Sequence, residues 1–205
     1  MSKEIRTFNF EVRAEQNDEH GHFLTGQPIV YGERTDMGWY DEIIDDDALA
    51  ETDLRDVRFL VNHNTDMIPL ARSRNNNANS TMQMEIVPMR GMNIRVDLDT
   101  ENNADAKSLY SAVSRGDISG MSFMFTVDSD IWEDLESEHP TRHIRSISKV
   151  FEVSAVTFPA YEATSINARG LSDALESAKA SLESAKAEQR AIERKKQLIR
   201  ILSEV

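Results

Sequence analysis

Residues 118–127 read Ile118-Ser119-Gly120-Met121-Ser122-Phe123-Met124-Phe125-Thr126-Val127. In an extended strand successive side chains point to opposite faces. Met121, Phe123, Phe125 and Val127 therefore form one apolar face that must be buried, while Ile118, Gly120, Ser122, Met124 and Thr126 occupy the other. Ser122 lies off the core, beside a glycine that removes a side chain where another backbone could approach. Ser119 falls on the apolar side, so alternation predicts Ser122 as the accessible hydroxyl of the pair.

Outward from this strand the pattern stays extended. Phe8, Phe10 and Val12 alternate within residues 5–14, and Gln27–Tyr31 and Val57–Val61 read the same way. Thr81–Val87 and Met92–Asp99 flank Pro88-Met89-Arg90-Gly91, a hairpin with a Pro/Gly turn, and Asn75–Ser80 is a second turn. One internal helix interrupts the strands. Asn102 or Asn103 can cap it, Ala106, Leu109, Tyr110 and Val113 recur at helical spacing, and Gly116 follows Arg115 as a stop. Strand character resumes through Ile144 and Ile147 and along Lys149–Phe158, after an acidic loop at Asp128–Pro140. The body reads as α+β, mainly β.

From Leu171 the sequence changes to a run without glycine or proline that contains the near-repeat LESAKAS/LESAKAE. Leu175, Ala178, Leu182, Ala185, Ile192 and Ile199 fit positions a and d of a heptad, with Gln189 and Lys196 as polar interruptions. The expected division is a body at residues 1–170 and a helical, coiled-coil-like tail at 171–205 that associates with other chains rather than packing on its own body.

The net charge is -13, and residues 171–205 contribute seven Lys or Arg against six Asp or Glu, which leaves -14 on the first 170 residues. Such a surface repels phosphates, so nucleic acid is not an expected partner of the body. The absence of cysteine excludes a disulfide framework, a thiolate metal site and a cysteine nucleophile. The opening MSKEIRTFNFEVRAE has no signal-peptide core and no stretch is long enough to span a bilayer, so the expected compartment is the cytoplasm, without membrane association.

A serine hydroxyl needs an adjacent base to act as a nucleophile near neutral pH, and histidine suits that task. His63 follows an apolar strand directly in FLVNHN, at a strand end. His20 and His22 sit in the polar turn EHGHF and read as exposed loop residues, and His139 and His143 flank Pro140, which argues against a zinc-binding helix face. Glu152 lies in KVFEVSAVTFPA, where alternation groups it with Val150, Val156 and Phe158 against Phe151, Val153 and Ala155. Both faces read as buried, and a buried carboxylate needs a partner. A histidine and an ordinary ion pair with Arg142 or Arg145 weigh equally. The acids of 128–138 read as a solvated loop rather than as a metal hydrolase centre.

Three segments in this order resemble the prohead serine proteases of tailed phages, a family distantly similar in fold to the herpesvirus capsid proteases. FLVNHN with IPLARS resembles the family's histidine motif, RGDISGMSFMF its nucleophile motif, and KVFEVSAVTFPAYEATSI its Glu-Val-Ser segment ending in Phe-Pro-Ala. With the opening strand and IVYGE, the resemblance covers roughly the first 170 residues. Met124 departs from the family's Ser-Phe-Gly-Phe pattern, which bears on substrate preference. The resemblance implies a small antiparallel β-barrel with peripheral helices and a C-terminal helical tail. It implies Ser122 as nucleophile, His63 as general base and then acid, and Glu152 as the group orienting the imidazole. The related viral proteases use a second histidine there, for which His143 is the alternative, and by the same analogy backbone N–H groups near Arg142–Arg145 would form the oxyanion hole. The implied function is a serine endopeptidase without metal or organic cofactor, working inside the immature prohead in the host cytoplasm. Its substrates would be major capsid protein and scaffold segments and itself, and self-association is expected. A non-catalytic capsid assembly or scaffolding protein is the alternative.

Overall fold

The computed structural model describes residues 3–8, 12–19, 21–157 and 168–203. In chain order its elements are β1 (Glu4–Phe8), β2 (Arg13–Asn17), β3 (Gly21–Val30), β4 (Thr35–Asp36), β5 (Asp41–Ile44), β6 (Asp56–Val61), β7 (Ala71–Arg74), β8 (Met82–Val87) and β9 (Gly91–Asp97). Helix α1 (Ala104–Ser114), β10 (Gly120–Glu133), β11 (Thr141–Val156) and helix α2 (Ala168–Ser203) follow. The chain is mainly β, with α1 set among the strands and α2 after them.

The strands make two sheets. The larger runs β1-β10-β11-β5-β4, with β6 added to β11 and β7 to β6, and the smaller runs β2-β3-β9-β8. Most ladders are antiparallel, but β11 is long enough to take two parallel neighbours along one edge. It pairs with β5 over Thr141–Ile144 and with β6 over Glu152–Ala155. Among the described residues no ladder joins the two sheets into the single closed barrel that the resemblance implied.

Between the sheets lies the main core. Met121, Phe123 and Phe125 on β10, Val150, Val153 and Ala155 on β11, and Phe59 on β6 are all buried in it, so the predicted apolar face is the core face. Each such aromatic or branched side chain contributes about 1.5–3 kcal/mol through the surface it removes from water. Of the predicted opening stripe, Val12 is in this core, whereas Phe10 lies outside the described residues. Helix α1 closes one end. The Asn103 side chain accepts from the N–H groups of Asp105 and Ala106 at 2.9 and 3.2 Å, and Ala106, Leu109 and Val113 face inward. The β8–β9 hairpin turns where predicted. Gly91, at φ +121, is required there because a Cβ would sit 2.0 Å from the Ile29 carbonyl oxygen.

Two readings within β10 and β11 change. The expected acidic loop is shorter, because β10 runs on to Glu133 and meets β11 from Thr141. The ladder is irregular from Thr126 to Asp130, and beyond it Trp132 is buried and Asp130 is neutralised by Arg142 at 2.6 Å. Val150 also does not share a face with Glu152. Met124 pairs with Glu152 and Phe125 with Val150, so Phe151 is an extra residue, a bulge that reverses the alternation and turns Val150 into the core.

The first half of α2 docks on the body, contrary to the expectation for the tail. Ala178 and Leu182 are buried against Tyr40 and Trp132, with Leu175 and Ala185 packed beside them. Ser181 accepts from the Trp132 indole at 3.1 Å and donates to Asp130 at 2.7 Å, while Ser177 donates to Glu4 at 3.0 Å. Beyond it, Ile192, Leu198, Ile199, Ile201 and Leu202 are exposed. The helix lies over a buried charge cluster in which Arg6 pairs with Glu4 and Glu42, and Arg142 with Glu4, Glu42 and Asp130. Burial pushes the Glu4 carboxyl up, but the flanking Arg6 and Arg142 outweigh it and hold Glu4 below its ordinary value. No helix among the described residues is long and apolar enough to cross a membrane.

Candidate active site

Strand β6 ends at Val61, and the chain turns through two consecutive left-handed residues, Asn62 at φ 51 and His63 at φ 56. Asparagine and histidine are among the non-glycine residues found most often in this region, yet each placed there still costs on the order of 1 kcal/mol. Hydrogen bonds to β11 and its continuation hold the turn. The Asn62 N–H donates to the Ala155 carbonyl at 2.9 Å, and the Asn62 side chain exchanges bonds with Thr157, donating to its hydroxyl and accepting from its N–H, both at 3.0 Å.

The turn folds the His63 ring back over β11. Nδ1 lies 2.5 Å from Glu152 Oε1, and both side chains are buried, at 6% and 4% exposure. An ionised carboxylate can only accept, so Nδ1 donates to it, and in the neutral imidazole Nε2 is then the acceptor. Nε2 is buried without a hydrogen-bond partner among the described residues. Glu152 has a second neighbour two residues on, since the Ser154 hydroxyl donates to Oε2 at 2.5 Å and accepts the His63 backbone N–H at 3.1 Å. Of the partners weighed for Glu152, the histidine is the one present.

Ser122 is on the same face. In the β10–β11 ladder it stands opposite Ser154, and Met124 opposite Glu152; directly paired residues on one face have Cβ atoms about 5 Å apart. The face is as predicted but the exposure is not: Ser122 is 0% exposed, whereas Ser119, which precedes the strand, is exposed. The Ser122 hydroxyl is turned to the other neighbouring strand, donating to the Arg6 carbonyl at 2.7 Å and accepting from Thr7 Oγ1 at 2.9 Å. The imidazole and carboxylate are thus joined, and the hydroxyl beside them is engaged with β1.

The remaining candidates lie elsewhere. His143 sits near the start of β11, opposite Ile131, with Nδ1 2.8 Å from Asp45. Eleven residues of extended chain put it about 35 Å along the strand from Ser154. The Arg142–Arg145 backbone is at that same end, in the ladders with β10 and β5, and cannot serve as an oxyanion hole for Ser122. Arg142 and Arg145 pair with acids there, not with Glu152. His22 is on β3 rather than in a loop, bonded to Thr100 at 2.8 Å and edge-on to Tyr110, because the strand begins at Gly21. His20 lies outside the described residues. Asp36, Asp41 and His139 bring ligand atoms within 4.8 Å of one another at the surface, but Asp41 is already bonded to Arg34 and His139.

Sequence reasoning did not single out Ser154, Thr7 or the Arg6 carbonyl. Ser154 had a signal, being two residues from Glu152 on a strand and so on its face. The other two come from the pairing of β1 with β10, which no local pattern encodes.

No curated protein and no solved structure matches the chain. The family model described as caudovirus prohead serine protease matches residues 8–178, a span that holds Ser122, His63 and Glu152 and ends within the docked half of α2. With that span matched, the chain belongs to the caudovirus prohead serine proteases, hydrolases that act on capsid and scaffold proteins within the immature phage shell.

Proposed function

We propose that Ser122 is the nucleophile, His63 the general base and then acid, and Glu152 the acid that orients His63, in peptide-bond hydrolysis through an acyl-enzyme. The observation that carries this reading is the 2.5 Å bond from His63 Nδ1 to Glu152, which leaves Nε2 as an unpartnered acceptor on the face that bears Ser122. Glu152 holds the tautomer that can accept a proton and stabilises the imidazolium once it forms. In the resting arrangement the Ser122 proton is given to the Arg6 carbonyl. Attack requires the hydroxyl to turn from β1 to Nε2, after which the proton passes to the imidazole and then to the leaving amine as the acyl bond forms. Water deacylates the serine by the same relay in reverse.

The substrates are segments of the major capsid protein and scaffold, and the chain also cuts itself. Residues 171–205 act as a tail whose exposed end joins copies of the chain.

A fluorophosphonate, which bonds covalently to activated serine hydroxyls, tests the assignment. Wild type should be labelled at Ser122, Ser122→Ala should not react, and His63→Ala should react far more slowly. Labelling of wild type and His63→Ala at equal rates would remove His63 from the reaction. Mass spectrometry of the same preparations reads self-cleavage, since only wild type should yield shortened chains.

A further inference from the structure

Building on the assignment of Ser122, His63 and Glu152, we propose that Ser154 is a positioning residue of the same site. Its hydroxyl sets the imidazole and the carboxylate against each other without touching substrate.

A serine hydroxyl has one proton and two lone pairs. Ser154 spends the proton on Glu152 Oε2 at 2.5 Å and a lone pair on the His63 backbone N–H at 3.1 Å. The two carboxylate oxygens are therefore divided between Nδ1 and Ser154, so the carboxylate cannot rotate without losing a charge-assisted bond on each side. The same hydroxyl holds the main chain of the residue whose ring is being aimed. That main chain sits at φ 56, where a side-chain-bearing residue needs outside support. One group thus fixes both ends of the His63–Glu152 contact.

Ser154 suits the role by its location. It lies inside β11 between Ser122 on β10 and Leu60 on β6, in two ladders at once, and is 0% exposed. Strands fix a side chain more closely than loops do, and a buried site gives no water the chance to replace the lost hydroxyl. Were Ser154 merely a satisfied core residue, its loss would lower stability and leave the reaction rate per folded molecule unchanged.

Full-length wild type, Ser122→Ala, Ser154→Ala and Ser154→Thr are compared by the rate of fluorophosphonate labelling across probe concentrations, normalised to the folded fraction from melting curves. Ser154→Ala should lower the saturating rate about ten- to a hundredfold, the scale of one hydrogen bond to a charged group, with the half-saturating concentration unchanged. Ser154→Thr keeps the hydroxyl and should recover most of the rate. A wild-type saturating rate in Ser154→Ala overturns the positioning role while leaving the triad in place. An unlabelled wild type, or label retained in Ser122→Ala, overturns the triad and the positioning role with it. Amide exchange on the wild type needs no variant: the His63 N–H should be protected, and exchange at the free-peptide rate overturns the clasp.

Discussion

Glu152 is where a single charge does the most. Its Oε1 faces Nδ1 of His63, and it is 3% exposed, so in the proposed reaction this carboxylate would be the close counter-charge of the imidazolium. Glu152→Gln keeps the shape and can still accept from Nδ1–H through its amide oxygen, with Ser154 accepting from the amide NH₂. What it loses is the negative charge. The expected result is a fall of about 10²–10⁴-fold in peptide hydrolysis with little change in fold, read by comparing turnover and circular dichroism of the two proteins. Unchanged turnover would show that Glu152 is a structural carboxylate. Met124, opposite Glu152 and partly exposed, lies beside this contact, so its size bears on what fits there rather than on proton transfer.

Among the elements, α2 divides between two roles. Residues 175–185 are held by apolar packing and by the serine bonds to Glu4, Asp130 and Trp132, whereas the exposed residues from Ile192 to Leu202 contribute nothing to the body's core. A chain ending at Gln189 should therefore melt within about 2 °C of the full-length protein, and, on the proposed role of the tail, should sediment as a smaller species than the full-length protein. Association that persists would put the contact between copies on the body. The heptad read from sequence was real as a periodicity, but periodicity does not say whether an apolar stripe meets its own body or another chain. Tyr40 and Trp132, which cover that stripe, come from elements remote in sequence. The same limit explains β11. Period two located Ser122 and the core face of β10 correctly, yet a bulge at Phe151 is invisible to alternation, and only the ladder shows that Val150 and Glu152 part company. His63 and Glu152 were legible as candidates because a strand end and a buried acid each have a local signature. The burial of Ser122 was not legible, because it depends on what crosses that face of the sheet.

At the scale of the molecule, carboxylates are held below their ordinary values, among them Glu4 in the buried cluster and, nearer the surface, Asp53 and Asp56, where water weakens what the pairing contributes. Glu4 is lowered by Arg6 and Arg142 against the opposing effect of burial, Asp53 chiefly by Arg55 and also by Lys149, and Asp56 chiefly by Arg72. A group whose folded value lies below its unfolded one contributes stability that is complete above the unfolded value and disappears as pH falls through the folded one. The urea midpoint should thus stay level from pH 8 to about 5 and drop between about pH 4.5 and 2. A midpoint unaffected down to pH 2 would show that these pairs do not stabilise the fold. Glu4 makes a further connection, because β1 supplies it, β11 reaches it through Arg142 and α2 reaches it through Ser177. β1 and the docked half of α2 are fastened to one carboxylate, whereas the exposed turns from Ile192 to Leu202 stand outside that tie. Lifting off β1 or the docked half of α2 would uncover charges that the other also covers, and losing β1 would take away the Arg6 carbonyl on which the Ser122 hydroxyl rests.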